Sequence, residues 1–457
     1  MLRNLVLSLS LLTLAACASV GGRYTPPAID AAPAFATPAV ALQPEAVAEP
    51  RWWTRFEDPA LTHLVEAALR ANLDVREAAT RVEAARAIRS EVRQASLPTG
   101  GVAVANTHQS VARERSRSAS AAIDIGWEID LFGRIRSLRR GAEAELGAAE
   151  ALLSQTRVVI VAEVVRTYFQ MRGSEERIAL LERYRADQAE VVEIIETRVE
   201  EGVDDDADLA RARTVLAEDM LALANEHHNA RVLRNALAVL IGATPGQWQP
   251  PAAQTATALS LRPIAIGDPA SLLQRRPDVR AAERVLAAQT SDIGVASASL
   301  FPQLDAGGFF GLVAGTFGDL GAASGETWSL GPTLSWGIFD LARVRAQIRR
   351  ERAEAEGALA AYERTVLRAL EDTENAFSAF AAAQESLAAT DLQVRNARIA
   401  ADLVQARYEE GVSGYFESLD ARRAALRAEI ARIHSIAAHR TATVDVFRAL
   451  GSDPAGV

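Results

Sequence analysis

Two halves of this 457-residue chain carry one pattern. Leu69, Asp74, Val75, Arg76, Ala78 and Pro98 recur 204 residues on as Leu273, Asp278, Val279, Arg280, Ala282 and Pro302. Trp127, Arg134, Arg136, Arg198, Gly202 and Gly242 recur 209 residues on as Trp336, Arg343, Arg345, Arg407, Gly411 and Gly451. The offset changes once, so a five-residue difference sits between Pro98/Pro302 and Trp127/Trp336. A period this long marks a duplicated structural unit, not a short solenoid repeat. Each unit reads helix, two strands, very long helix, and few architectures use that order.

The first helical pattern runs from about Ala60 to Ser96, with Leu61, Leu64, Val65, Ala68, Val75, Ala78 and Val82 at three-four spacing. Pro98 ends it, as Pro302 ends its copy over Pro269 to Leu300. Period-two alternation follows. Ile123, Ile125, Trp127 and Ile129 alternate with Asp124, Gly126, Glu128 and Asp130. In the second half Trp328, Leu330, Leu334, Trp336 and Ile338 alternate with Ser329, Gly331, Thr333, Ser335 and Gly337. Weaker partner strands are expected over Gly101 to Thr107 and Gln303 to Val313, with loops from His108 to Ser118 and Ala314 to Glu326.

Proline then disappears from Thr99 to Thr244 and from Thr333 to Asp453. These windows are dense in Ala, Glu, Arg and Leu, the composition of long packed helices. One helix should run from Arg134 to Glu201, about 100 Å at 1.5 Å per residue. It breaks at Gly202, and a return helix runs to Leu240. The copy runs from Arg343 to Glu410, turns at Gly411 to Gly414, and returns to Leu450. Such lengths exceed the needs of one globular core and imply a coiled-coil-like assembly or a helical tube.

Arg3, an apolar run from Leu5 to Ala16, and Cys17 open the chain. The run is too short for a permanent membrane helix and reads as a signal segment. Leu14-Ala15-Ala16-Cys17 resembles a bacterial lipobox, in which Cys17 is acylated; Ala18 after it resembles lipoproteins sent on to an outer membrane. The plainer alternative is a secretory signal with a chance cysteine. Cys17 is the only cysteine, so no internal disulfide arises. A net charge of −10 argues against nucleic acid as a partner. No later segment offers 18 consecutive apolar residues, so any crossing must use strands.

Four strands cannot close a barrel in lipid, where each open edge group costs several kcal/mol. Two chains would give a plugged barrel and three an open one. The row Ser329, Gly331, Thr333, Ser335, Gly337 suits a wet lumen, and Trp127, Trp328 and Trp336 suit an interfacial girdle. The competing reading is a soluble sheet with one buried face.

Taken in order and duplicated, these residues resemble the TolC family of outer-membrane efflux proteins, in its lipoprotein branch serving RND-type pumps. The carriers are Cys17, Trp52-Trp53/Phe56/Asp58-Pro59, Asn72-Leu73-Asp74-Val75, Trp127 to Arg134, Arg275 to Val279 and Tyr408 to Gly411. The resemblance implies an α+β membrane protein: a homotrimer with a twelve-strand outer-membrane β-barrel, four strands per chain, and a long periplasmic α-helical barrel. It implies a passive channel, with a periplasmic adaptor and an inner-membrane RND pump as partners. Expected boundaries are 1–16 signal, 17–59 acylated tether, 60–242 first repeat, 243–268 equatorial linker, 269–451 second repeat and 452–457 tail. By the same resemblance the gate is the tip where the long helices turn. Phe416 and Asp420 would line it and Arg423 would latch a neighbouring chain. Three Asp420 copies would repel unless cations or Arg423 compensate. Gly202, Gly411 and Gly414 would shape the turns. Asp204, Asp205 and Asp206 would either form a cation-attracting mouth or simply start the return helix.

No phosphate-cradling loop, His-Glu-x-x-His or nucleophile elbow is present, so neither an enzyme nor a cofactor is expected. His227-His228 point to different faces of a helix, a poor metal geometry. The rival of another class is a lipid-anchored coiled-coil scaffold without a pore. A nearer rival shares the fold but serves protein secretion.

Overall fold

A computed structural model describes residues 24–28, 32–36, 42–43, 49–111, 114–251, 263–320 and 326–454. Cys17 and the signal segment lie outside the described residues. In each repeat a short and a longer helix precede two strands and a pair of very long helices. The first has α1 Pro59–Ala71, α2 Leu73–Gln94, β2 Thr99–Val111, β3 Glu114–Ile129, α3 Arg134–Glu200 and α4 Asp206–Leu240. The second has α5 Pro269–Arg275, α6 Pro277–Ala298, β5 Gln303–Ala314, β6 Glu326–Ser335, α7 Leu341–Glu409 and α8 Tyr415–Ala449. Two short strands, β1 Leu42–Gln43 and β4 Ile264–Ala265, pair in parallel.

The single helix expected after Ala60 is two helices. Asn72 is extended at ψ 135, and its Oδ1 accepts the amides of Asp74 at 2.9 Å and Val75 at 3.1 Å, capping α2. In the copy, Arg276 is extended at ψ 123 because Pro277 follows it. The long helices start and stop within two residues of expectation.

The compact units cut across the repeats. Among the described residues, one is drawn from 24–28, 79–152 and 278–365, and the other from 32–78, 153–277 and 366–454. The first holds a four-stranded antiparallel sheet in the order β2-β3-β5-β6. The expected polar loop from His108 to Ser118 is mostly strand, since the ladder runs on to Val111↔Glu114. Backbone pairing needs no apolar side chains, and polar residues serve where a strand leaves an apolar environment.

In the second unit the end of the expected tether is part of the core. A 3-10 turn at Trp52–Phe56 buries Trp52, Trp53 and Phe56 with Leu61, Leu64, Val165, Phe169, Phe377 and Val444. Trp52 stacks on Phe447 with centroids 5.1 Å apart, and Phe56 meets Phe169 edge-on at 4.6 Å. Asp58 anchors this cluster. Its Oδ1 accepts the Ala60 amide at 2.9 Å and the Leu61 amide at 3.1 Å, and its Oδ2 accepts the Tyr168 hydroxyl at 2.6 Å. Burial, with Asp58 as acceptor, pushes the Tyr168 phenol up to about 12, so it remains a donor.

Candidate functional site

Two places gather the expected functional residues: the sheet, and the turns joining the long helices. Strand register sorts the sheet into two faces. Val102, Ile123, Phe310 and Trp328 share one row across it, and Ile125, Gly308 and Leu330 share another. Apart from Gly308 these are exposed apolar residues, Leu330 at 79% and Trp328 at 72%, so the chain alone leaves them uncovered. Asp124, Gly126, Glu128, Gly307, Gly331 and Thr333 take the alternate positions on the opposite face. Phe309 is the aromatic exception among them. The outer edges of β2 and β6 carry no partner strand among the described residues.

The three tryptophans lie on the apolar side of the sheet, and Val104 and Leu312 continue that face past the row of Trp328. Trp127 Nε1 donates to Ser96 O at 3.1 Å, and Trp336 Nε1 donates to Leu300 O at 3.1 Å. Both acceptors stand two residues before the helix-ending prolines, so the copies place their rings alike. Trp328 lies eight residues before Trp336, about 26 Å along an extended strand.

At the helical turns the repeats also agree. Gly202 and Gly411 have φ of 76° and 73°, the left-handed stop that L side chains resist. Val203 N donates to Arg198 O, and Val412 N to Arg407 O, each at 2.8 Å. Asp204 pairs with Arg198 at 2.8 Å, and Asp205 caps α4 by accepting the Asp208 amide at 2.8 Å. Two of the three aspartates are thus held by local structure, and Asp206 stands exposed in the first turn. Gly414 takes the cap position of α8 without a side-chain hydrogen bond.

Phe416, 64% exposed, and the exposed Asp420 lie one helical turn apart on α8. Arg423 forms an ion pair with Glu218 of the same chain, on α4. Arg422 reaches Asp187 at 3.5 Å. Burial pushes the Asp219 carboxyl up, with Arg423 opposing. Beneath them Val192, Ile195, Ala212, Val215, Tyr415 and Leu419 form a small core. Gln188 Nε2 donates to Ala212 O at 3.0 Å and to Tyr415 Oη at 3.2 Å, tying three helices together. Sequence reasoning missed Gln188 and Glu218. A lone Gln or Glu within 60 residues of helix carries no signal of its partner, whereas Tyr415 directly after Gly414 was a visible cue.

The outer membrane efflux protein family model matches residues 64–243 and 269–452, one match per repeat. The chain is similar to outer membrane protein OprJ of Pseudomonas aeruginosa, 32% identical over 96% of this chain and 94% of that one. It is 30% identical to the pyoverdine export outer membrane protein OpmQ of Pseudomonas putida, over 98% of this chain and 96% of that one. Among solved structures it resembles the outer-membrane channel OprN, with TM-score 0.88, 36% identity, and 95% and 99% of the two chains covered. The CmeC outer membrane channel of Campylobacter jejuni shares the fold at TM-score 0.90 and 20% identity, over 95% of each chain.

Proposed function

The chain belongs to the outer membrane efflux protein family, and from that premise we propose that it is the outer-membrane channel of a tripartite RND-type efflux system. It is a passive conduit, not an enzyme. Relatives carry names for toluene and solvent efflux and for pyoverdine export, which supports small organic molecules as cargo.

The observation that carries this reading is the sheet. It has two open edges, one apolar face and one small, polar face. Lipid does not accept unpaired strand edges. Three copies joined edge to edge give twelve strands and a lumen lined by the polar face. The apolar face, which carries Trp127, Trp328 and Trp336, turns to lipid. The long helices α3 and α7, 67 and 69 residues, reach about 100 Å into the periplasm. There the homotrimer meets a periplasmic adaptor and an inner-membrane pump, which supplies the energy. The lipobox supports an acyl anchor on Cys17.

The tip serves as the gate. Phe416 and Asp420 are exposed on α8, which suits residues lining a constriction. The Arg423–Glu218 pair holds α8 against α4 within one chain, so opening would break it or exchange Glu218 for a neighbour's acid. Outer-membrane fractions should yield a heat-modifiable, protease-resistant trimer that conducts ions in planar bilayers. Deletion should sensitise cells to small organic toxicants. A stable monomer soluble without detergent would overturn the reading.

A further inference from the structure

Where the second repeat buries Ala296, Val344 and Ile348 at the junction of helix and sheet, the first opens a groove lined by five arginines. Arg89 and Arg93, in the last two turns of α2, face Arg136, Arg139 and Arg140, in the first two turns of α3. With Glu143 they line a cavity of about 490 Å³. Glu143 pairs with Arg89, and Asp130 pairs with Arg136 at 3.2 Å. Among the described residues no carboxylate pairs with Arg93, Arg139 or Arg140. Arg140 donates to Ser137 Oγ at 3.0 Å, while its Nε is buried with no partner.

The duplication supplies an internal control. The counterparts of Arg89, Arg93 and Arg139 are Ile293, Ser297 and Ile348. Ile348 is buried with Ala296 and Val344. Arg136 and Arg140 keep arginine counterparts in Arg345 and Arg349, so the second junction packs with two arginines where the first gathers five, and Arg89, Arg93 and Arg139 are the charge peculiar to the first repeat. Three of the five also stand at the positive end of a helix, where cations are disfavoured unless an anion is near. Arg89 and Arg93 stand seven and three residues before Ser96, whose carbonyl accepts the Trp127 indole, about 10 Å or less by helical rise, so the groove lies on the helix side of the apolar face.

We infer that this groove binds the phosphate of an anionic phospholipid in the membrane leaflet nearest the helices. The inference rests on the outer-membrane reading above. Guanidinium forks match phosphate oxygens bidentately. A headgroup at this depth would bring its acyl chains to the level of the apolar face.

The test uses the full-length trimer in dodecyl maltoside, titrated with dioleoylphosphatidylglycerol, dioleoylphosphatidylcholine or inorganic phosphate, with bound ligand counted by native mass spectrometry. Phosphatidylglycerol should be retained over phosphatidylcholine. The variant Arg93→Gln/Arg139→Ile/Arg140→Gln should weaken that retention about tenfold or more. Arg185→Gln/Arg395→Gln, exposed arginines on the long helices, should leave it unchanged. Equal retention by the triple variant, or binding of inorganic phosphate without lipid preference, would overturn the inference. Heat-modifiability and trimer mass on the same samples separate loss of this site from failure of the barrel itself.

Discussion

Asn72 Nδ2 donates to Leu240 O at 2.9 Å, joining the break between α1 and α2 to the last turn of α4. In the second repeat Arg276 Nη1 donates to Ala449 O, also at 2.9 Å, and 449 is the counterpart of 240. Two different side chains thus satisfy the same orphan carbonyl at the end of a return helix. The glycine that follows closes each corner: Gly242 and Gly451 have φ of 71° and 65°. The duplication conserves a geometric job while exchanging the residue that does it.

Arg276 does more than Asn72, and its loss should cost more. It also donates to Ala369 O at 3.2 Å and reaches Asp372 at 3.4 Å. Asn72→Ala removes one carbonyl contact and a helix cap, about 1–2 kcal/mol. Arg276→Ala strands the Ala449 carbonyl, removes a second bond to Ala369 O (which Thr373 Oγ1 still serves at 2.8 Å) and the reach to Asp372, and should lower the melting temperature of the purified trimer further. Equal shifts would mean that the two corners are equivalent in energy as well as in place.

The left-handed glycines at the helix corners, Gly202, Gly242, Gly411 and Gly451, should separate by surroundings. A Cβ on Gly242 would stand 2.5 Å from Ala71 O, whereas one on Gly202 meets nothing within 4 Å. Both alanine variants incur the left-handed penalty of about 1–2 kcal/mol. Only Gly242→Ala adds a backbone overlap. Gly202→Ala should fold and assemble with a small loss in melting temperature, and Gly242→Ala should lose assembled trimer.

Much of this architecture is legible in sequence because its signals are long or repeated. Helices of 67 and 69 residues leave proline-free windows no strand would need, and paired Gly202/Gly411 and Trp127/Trp336 fix the corners by their offset. What escaped is short-range and conformational. Asn72 looks like an ordinary helix residue until its ψ of 135 places it outside the helix. Ser110 and Arg117 look like loop, yet the ladder runs through them because pairing depends on backbone. Glu218 is invisible as the partner of Arg423 because 205 residues separate them.

The two faces of the sheet should answer oppositely to charge. Leu330→Arg places a cation on the apolar face, at a cost that rises from near zero at the interface to about 2–4 kcal/mol per copy at the bilayer midplane. It should abolish heat-modifiable trimer. Gly331→Arg lies on the other face, where a Cβ meets nothing within 4 Å. It should assemble normally and lower cation conductance in planar bilayers. The reverse pattern would exchange lipid and lumen.

Acid should weaken the periplasmic helices through histidine. Burial pushes both His434 and His439 below their ordinary 6.5. Arg177 reinforces the shift at His434, where Glu226 opposes it, and Arg440 reinforces it at His439. The unfolded chain then binds more protons than the folded one below 6.5. Stability is intact above that pH and falls as pH drops through the folded values. Melting temperature measured between pH 7.5 and 5.5 should decline, and His439→Leu should flatten the decline. An unchanged slope would place the acid sensitivity elsewhere.

The tip offers the most direct test of gating. Arg423 and Glu218 are each about half exposed, at 46% and 52%, so their ion pair is worth only about 0.2–1 kcal/mol to the single chain. Breaking it should therefore leave trimer stability nearly unchanged. Its effect should appear in conductance, where small biases shift the population of open tips. Arg423→Ala with Asp420→Ala removes both the tie to α4 and the exposed acid beside Phe416. Single-channel conductance should rise, and Glu218→Gln should reproduce the part owed to Arg423. Phe416→Ala adds width without touching charge, so it should raise conductance with no change in cation preference. If all three variants conduct like the parent protein, the constriction lies elsewhere along the tube.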